Sequence, residues 1–264
     1  MTNFYQWGID GSTWEIYDDI FVPAMLNTWA LRLVDLADPQ PGERALDIAC
    51  GTGVWALHAA DRVGPHGRVS GLDINPDMLA VARRKQNAGT VEWREGSADA
   101  LPFDDTSFDV VGCQLGLMFF PDRVAALREM RRVLAPGGRF VGLVWGRMEH
   151  CPSQMAVAAA WSRRLGPDAA AGFHFQHVLA NKDEVAGLLG AAGFRDIDTH
   201  WEMSECRLPT PDRYVRGYAA LMGLQVEPEV AEALIEDVTT DLAPYAGPDG
   251  VIYPIETVMA SARG

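Results

Sequence analysis

The sequence is poor in several things, and each absence narrows what the chain can do. Cysteine is scarce: Cys50, Cys113, Cys151 and Cys206 are scattered, with no C-x-x-C pair and no short Cys/His spacing. That argues against a zinc site or a disulfide framework and predicts a reducing, cytoplasmic location with no bound metal. Basic residues are few, 22 Lys and Arg against 36 Asp and Glu, and no long run of them suggests a basic patch. A formal charge of -14 repels phosphate backbones and anionic lipid, so neither nucleic acid nor a membrane surface is an expected partner. No basic leader opens the chain, so no signal peptide is expected. Val110–Phe120, read as the most apolar stretch, is too short to span a bilayer and contains Gln114.

What is present is a core-forming composition. Of 264 residues 48% are hydrophobic, enough for one large α/β domain. Acid is concentrated at the start: residues 1–40 hold Asp10, Glu15, Asp18, Asp19, Asp35 and Asp38 against Arg32 alone. The same region is rich in aromatics, among them Phe4, Tyr5, Trp7, Trp14 and Tyr17.

A helix is predicted from about Asp18 to Ala37, with Pro23 near its first turn, ended by Asp38-Pro39-Gln40-Pro41-Gly42. Strand and helix then alternate. Strands are expected at Arg44–Ile48, Arg68–Leu72, Val91–Arg94, Phe108–Cys113 and Arg139–Trp145. Helices are expected at Val54–Val63, from Pro76 to about Asn87 with Asn75 as N-cap, and at Val124–Leu134. Such alternation implies a parallel sheet covered on both faces. Beyond Trp145 the pattern predicts a helix near Met155–Leu165, another at Lys182–Ala192 ended by Gly193, and strand character over Arg195–Leu208. It closes with helix over 211–243 and a last strand from Val251 to Ala262.

Gly51-Thr52-Gly53-Val54-Trp55-Ala56 fits G-x-G-x-x-A between a strand and a helix, and Asp73 ends the next strand twenty positions after Gly53 (73 minus 53). On those features alone an NAD(P)-dependent oxidoreductase is admissible. Three others point elsewhere. Asp47 precedes the glycines, and a carboxylate there disfavours a pyrophosphate but suits an ammonium or a sulfonium. Asp99 follows the third strand in Gly96-Ser97-Ala98-Asp99-Ala100, and Gln114 follows the fourth.

Taken in order across residues 40–145, these motifs resemble class I S-adenosylmethionine-dependent methyltransferases, in particular the ubiquinone/menaquinone C-methyltransferase-like branch. The resemblance implies a Rossmann-like, doubly wound α/β fold with a mostly parallel seven-stranded sheet. It also implies an N-terminal helical lid (1–40), a cofactor-binding core (41–145), and an acceptor-side insertion with the C-terminal strands (146–264). The implied cofactor is S-adenosyl-L-methionine. Ala49, Gly51, Thr52 and Gly53 would pass its methionine part, with Asp47 beneath, and Asp73 would hold the ribose. Ile74 and Met78 would flank the adenine, Ala98, Asp99 and Ala100 would meet its edge, and Gln114 would lie near the methyl. Ala49 stands where many members have glycine. Tyr17 and Trp14 would close over the site.

The expected reaction is methyl transfer to O, N or C of a small, apolar or aromatic metabolite by a monomer or homodimer. A cyclase that binds the cofactor without methylating stays open. Phe173-His174-Phe175-Gln176-His177 resembles the acceptor-lining segment of the family, so His177 or His174 is the expected general base.

Overall fold

The computed structural model describes residues 11–85, 90–208 and 210–264. Phe4, Tyr5, Trp7 and the expected helix end at Asn87 lie outside them. The chain opens with α1 (Thr13–Phe21), a π-helical turn (Val22–Leu26) and α2 (Asn27–Ala37). The start is earlier than the sequence pattern suggests, because Ser12 and Glu15 form a capping box. Pro23 therefore lies mid-helix, not in the first turn. It has no N–H to give the preceding turn, and the helix widens to a π turn around it. The continuous helix Thr13–Ala37 has 25 residues and contains an 18-residue window of mean hydropathy 1.3, so by length and composition it, rather than Val110–Phe120, is the segment long enough to cross a bilayer. Its apolar face is spent on the protein: Trp29, Ala30, Leu33, Val34 and Ala37 are buried in the core.

Five parallel strands follow: β1 (Arg44–Ile48), β2 (Arg68–Asp73), β3 (Val91–Glu95), β4 (Phe108–Gln114) and β5 (Leu134–Trp145). Between them run α3 (Val54–Val63), α4 (Pro76–Arg84) and α5 (Arg123–Val133). β5 starts five residues ahead of the expected Arg139. Leu134 pairs with Phe108 before the register shifts to Arg139 against Val110, so Pro136-Gly137-Gly138 is a bulge within the strand.

The second half supplies α6 (Pro152–Leu165), α7 (Ala171–Gln176), α8 (Lys182–Ala191) and β6 (Arg195–Leu208), then α9 (Pro211–Leu221), α10 (Pro228–Leu242), β7 (Ala246–Gly247) and β8 (Gly250–Arg263). The helical stretch expected over 211–243 is two helices, because the chain turns at Gly223 (φ 59°) and restarts at Pro228. Strand order is β3-β2-β1-β4-β5-β8-β6, with the two-residue β7 paired to β8 as an eighth member. β8 runs antiparallel between β5 and β6. The five parallel strands end on one edge, and that edge carries Asp47, Asp73 and Gln114.

Candidate functional site

The loop leaving β1 is built from residues the backbone could not do without. Ala49 (φ 55°), Gly51 (φ 54°) and Gly53 (φ 86°) are all left-handed, which bends the chain sharply into α3. At Gly53 a side chain is excluded twice over, since a Cβ would lie 2.3 Å from the Trp93 ring. Leu115, just past Gln114 on β4, is also left-handed (φ 55°), and Gly116 lies against the Ala49 methyl. Backbone strain is thus gathered where the loops after β1 and β4 meet.

Asp47 is 1% exposed and accepts the Ala56 N–H at 3.0 Å through Oδ2, holding the first turn of α3 to β1. Burial raises its pKa well above the usual carboxylate value. Asp73 accepts the N–H of Gly51 and of Asn75, each at 2.8 Å, and so ties the glycine loop to the end of β2. Burial raises its pKa too, against the lowering effect of those bonds. Gln114 donates through Nε2 to the carbonyl of Leu26 at 2.9 Å, linking β4 to the π turn.

A narrow cleft lies between these parts, lined by Tyr17 and Leu26 on one side, Asp47 to Thr52 below, and Gln114 and Leu115 opposite. Three buried side-chain oxygens on it have no hydrogen-bond partner: Asp47 Oδ1, Thr52 Oγ1 and Gln114 Oε1. Unpaired buried acceptors are costly, and a set of them around one cleft fits a ligand that brings N–H donors or positive charge. The ammonium and sulfonium of S-adenosylmethionine meet that description, and a pyrophosphate does not. Trp55, whose Nε1–H is also buried without a partner, lines the same cleft.

Of the residues singled out in the sequence, Tyr17, Asp47, Ala49, Gly51, Thr52 and Gln114 line this cleft together. Gly53 caps α3 at its rim, and Met78 Sδ lies 3.2 Å from where a Gly51 Cβ would be. Ile74 is 71% exposed beside Asp73. Ala98 is buried in the turn after β3, whereas Asp99 and Ala100 are exposed there and do not line the cleft; Asp99 accepts from the Ser97 hydroxyl. Leu26, Trp55 and Leu115 were not foreseen. Trp55 stands inside the quoted glycine motif, two residues past Gly53, so its place was a readable signal; Leu26 depends on the π turn, which was not.

The two histidines lie off the cleft. His174 is exposed in the last turn of α7. His177 is 9% exposed, and its Nδ1 lies 2.7 Å from the Gly146 carbonyl while Nε2 faces the Gln154 amide. Burial lowers its pKa; Nδ1 faces the Gly146 carbonyl and Nε2 faces the carbonyl oxygen Oε1 of Gln154, so both ring nitrogens are engaged. Gln154 also reaches the Tyr218 hydroxyl, and Ser153 and Tyr214 are hydrogen-bonded at 2.9 Å beside it. An aromatic ladder runs from this group to the lid: Tyr218 packs on Phe21 at 4.7 Å between centroids, and Phe21 on Tyr17 at 6.0 Å. No group of three or more His, Cys, Asp or Glu side chains that could hold a metal occurs among the described residues.

Comparison with known proteins places these features. Residues 12–200 match the model of the ubiE/COQ5 methyltransferase family. The nocamycin O-methyltransferase of Saccharothrix syringae is 34% identical over 258 residues, covering 89% of this chain and 90% of that protein. The demethylmenaquinone methyltransferase of Bacillus cytotoxicus is 42% identical over 118 residues, and the match covers 44% of this chain and half of that enzyme's length. Among solved structures, a putative methyltransferase from an antibiotic biosynthesis pathway of Anabaena variabilis superposes with a TM-score of 0.63 at 18% identity, covering 88% of this chain and 96% of that one.

Proposed function

Because this chain belongs to the ubiE/COQ5 methyltransferase family and is an S-adenosylmethionine-dependent methyltransferase, we propose that it methylates a hydroxyl oxygen of a small, apolar or aromatic metabolite. One observation carries the choice of oxygen. The likeness to menaquinone-type enzymes covers 44% of this chain, while the likeness to an O-methyltransferase runs through 258 residues and so takes in most of the acceptor-side half. An acidic chain with free, buried cysteines supports a cytoplasmic enzyme with no nucleic-acid or membrane partner, acting as a monomer or homodimer.

The bound cofactor supplies an electrophilic methyl on a positively charged sulfur. The chain's own residues do the holding. Asp47, Thr52 and Gln114 present acceptors to its cationic amino-acid end, and Ala49, Gly51 and Gly53 let the backbone approach. Asp73 suits the ribose hydroxyls, Ile74 and Met78 the adenine face, and Ala98, Asp99 and Ala100 its edge. Tyr17 covers the cleft from the lid.

Displacement at a sulfonium needs alignment and exclusion of water more than acid–base help, but a hydroxyl acceptor must also lose its proton. Of the two histidines, His174 is exposed but lies outside the cleft, so it could serve only an acceptor that projects beyond it. His177, engaged at both ring nitrogens, instead fixes Gln154 and through it Tyr218.

The test is incubation with S-adenosylmethionine and a panel of hydroxylated aromatic acceptors, followed by mass spectrometry. The expected products are S-adenosylhomocysteine and an O-methyl ether in equal amounts. A methyl found on carbon would overturn the oxygen assignment, and acceptor consumed without S-adenosylhomocysteine would favour a cyclase. Binding of NAD(H) in place of S-adenosylhomocysteine would overturn the whole reading.

A further inference from the structure

The acid concentrated in the first helix has a destination. Glu15 pairs with Arg84 at 3.0 Å, and Asp18 with Lys85 at 2.6 Å. Both bases stand at the C-terminal end of α4, which begins just after Asp73, while both acids are on α1, which carries Tyr17 into the cleft. The Asp18–Lys85 pair is about one-fifth exposed on either side, so solvent screens it less than an ordinary surface pair. The two contacts join α1 to the C-terminal end of α4.

The other end of this segment is a natural hinge. Pro23 interrupts the helix ladder, and the π turn Val22–Leu26 takes up the break. Below it, the Gln114–Leu26 bond and the buried face of α2 anchor the chain to the sheet. Above it, α1 rests on Tyr214 and Tyr218 through Phe21. With the ion pairs made, Tyr17 and Leu26 leave only a narrow cleft over the glycine loop.

We propose that Glu15–Arg84 and Asp18–Lys85 form an ionic latch that holds residues 12–21 closed over the cofactor, with the Pro23 π turn as hinge, so that latch opening limits cofactor release. The inference rests on the cofactor assignment above and adds a control of its exchange. Ion pairs of this kind contribute modestly to folding, but they oppose opening directly, so their effect appears in a rate.

The experiment follows release of S-adenosylhomocysteine by stopped-flow tryptophan fluorescence, chasing with excess ligand at about 0.02 M and about 0.5 M NaCl. Wild type is expected to release faster at high salt. Glu15→Gln with Asp18→Asn should release about three- to tenfold faster at low salt and lose most of the salt dependence. Glutamine at 15 keeps the capping box with Ser12, so helix α1 is preserved. The partner-side pair Arg84→Gln with Lys85→Gln should do the same without touching α1. Exchanging the charges, Asp18→Lys with Lys85→Asp in the Glu15→Gln background, should slow release again. Unchanged release and salt slope in both neutralised variants would overturn the latch, as would failure of a folded charge-exchanged variant to slow it. Absence of any S-adenosylhomocysteine binding to wild type would instead sink the cofactor assignment.

Discussion

The part of the chain that carries the glycine-loop cleft, residues 41–145, and the part beyond it, residues 146–264, are built on different principles. In residues 41–145 the polar groups sit at strand ends: Asp73 and Gln114 close their parallel strands and Asp47 is next to last in β1, at spacings set by the strand–loop–helix repeat. In residues 146–264 the polar groups are held by tertiary contact alone. Ser153 and Gln154 on α6, His177 after α7, Tyr214 and Tyr218 on α9 and Glu256 on β8 have no common spacing. The first half leaves acceptors unpaired around a cleft, while in the second Ser153 pairs with Tyr214 and Gln154 with His177, although Trp161 Nε1, Tyr253 Oη and Thr257 Oγ1 are buried there without a partner. A site kept incomplete is a site awaiting a ligand, and a network completed internally is a scaffold that shapes one.

This contrast is sharpest at Asp47. Asp47→Ala removes a buried carboxylate from the cleft and the bond to Ala56, and we expect S-adenosylhomocysteine affinity to fall about 100-fold or more by calorimetry. Gly53→Ala should destabilise the fold by about 2–4 kcal/mol in chemical denaturation, because the left-handed backbone and the Trp93 ring both oppose a Cβ. If either change acted only on the acceptor, the division would fail.

On the other side, Glu256 tests the scaffold. Burial alone would raise its pKa, but hydrogen bonds from Arg147 and His150 hold it at about 2. A depressed carboxyl stabilises the fold above its unfolded pKa and loses that contribution as pH falls from about 4.5 through about 2. Over that window Glu256→Gln should show a shallower loss of stability than wild type, by about 2–3 kcal/mol in total, with cofactor affinity at neutral pH unchanged. The smallest effect is expected at His177. His177→Ala leaves the Gly146 carbonyl and the Gln154 Oε1 unpaired, at a cost of about 1–3 kcal/mol in thermal denaturation, again with S-adenosylhomocysteine affinity intact.

The same contrast explains how far the sequence could be read. Arg44–Ile48, Val54–Val63 and Arg195–Leu208 have the bounds that their patterns predict, the first as a short continuous buried run and the others with apolar residues on one face. The Asp47, Gly51, Asp73 and Gln114 series was legible because a parallel sheet turns sequence order into spatial order. The early helix start was written in Ser12-Thr13-Trp14-Glu15 and overlooked, and with it the place of Pro23 and the cleft position of Leu26. Nothing local announces that Gln154 will meet His177, or that Tyr218 will lie under Phe21, since both depend on packing between distant helices.

The most direct test of the account is titration of wild type and Asp47→Asn with S-adenosylhomocysteine across a range of pH. Burial raises the pKa of Asp47, and an incoming ammonium favours the carboxylate. Wild-type affinity is therefore predicted to weaken as pH falls, with protons released on binding, and Asp47→Asn to bind weakly at every pH with no release. Equal, pH-independent binding by the two proteins would contradict it.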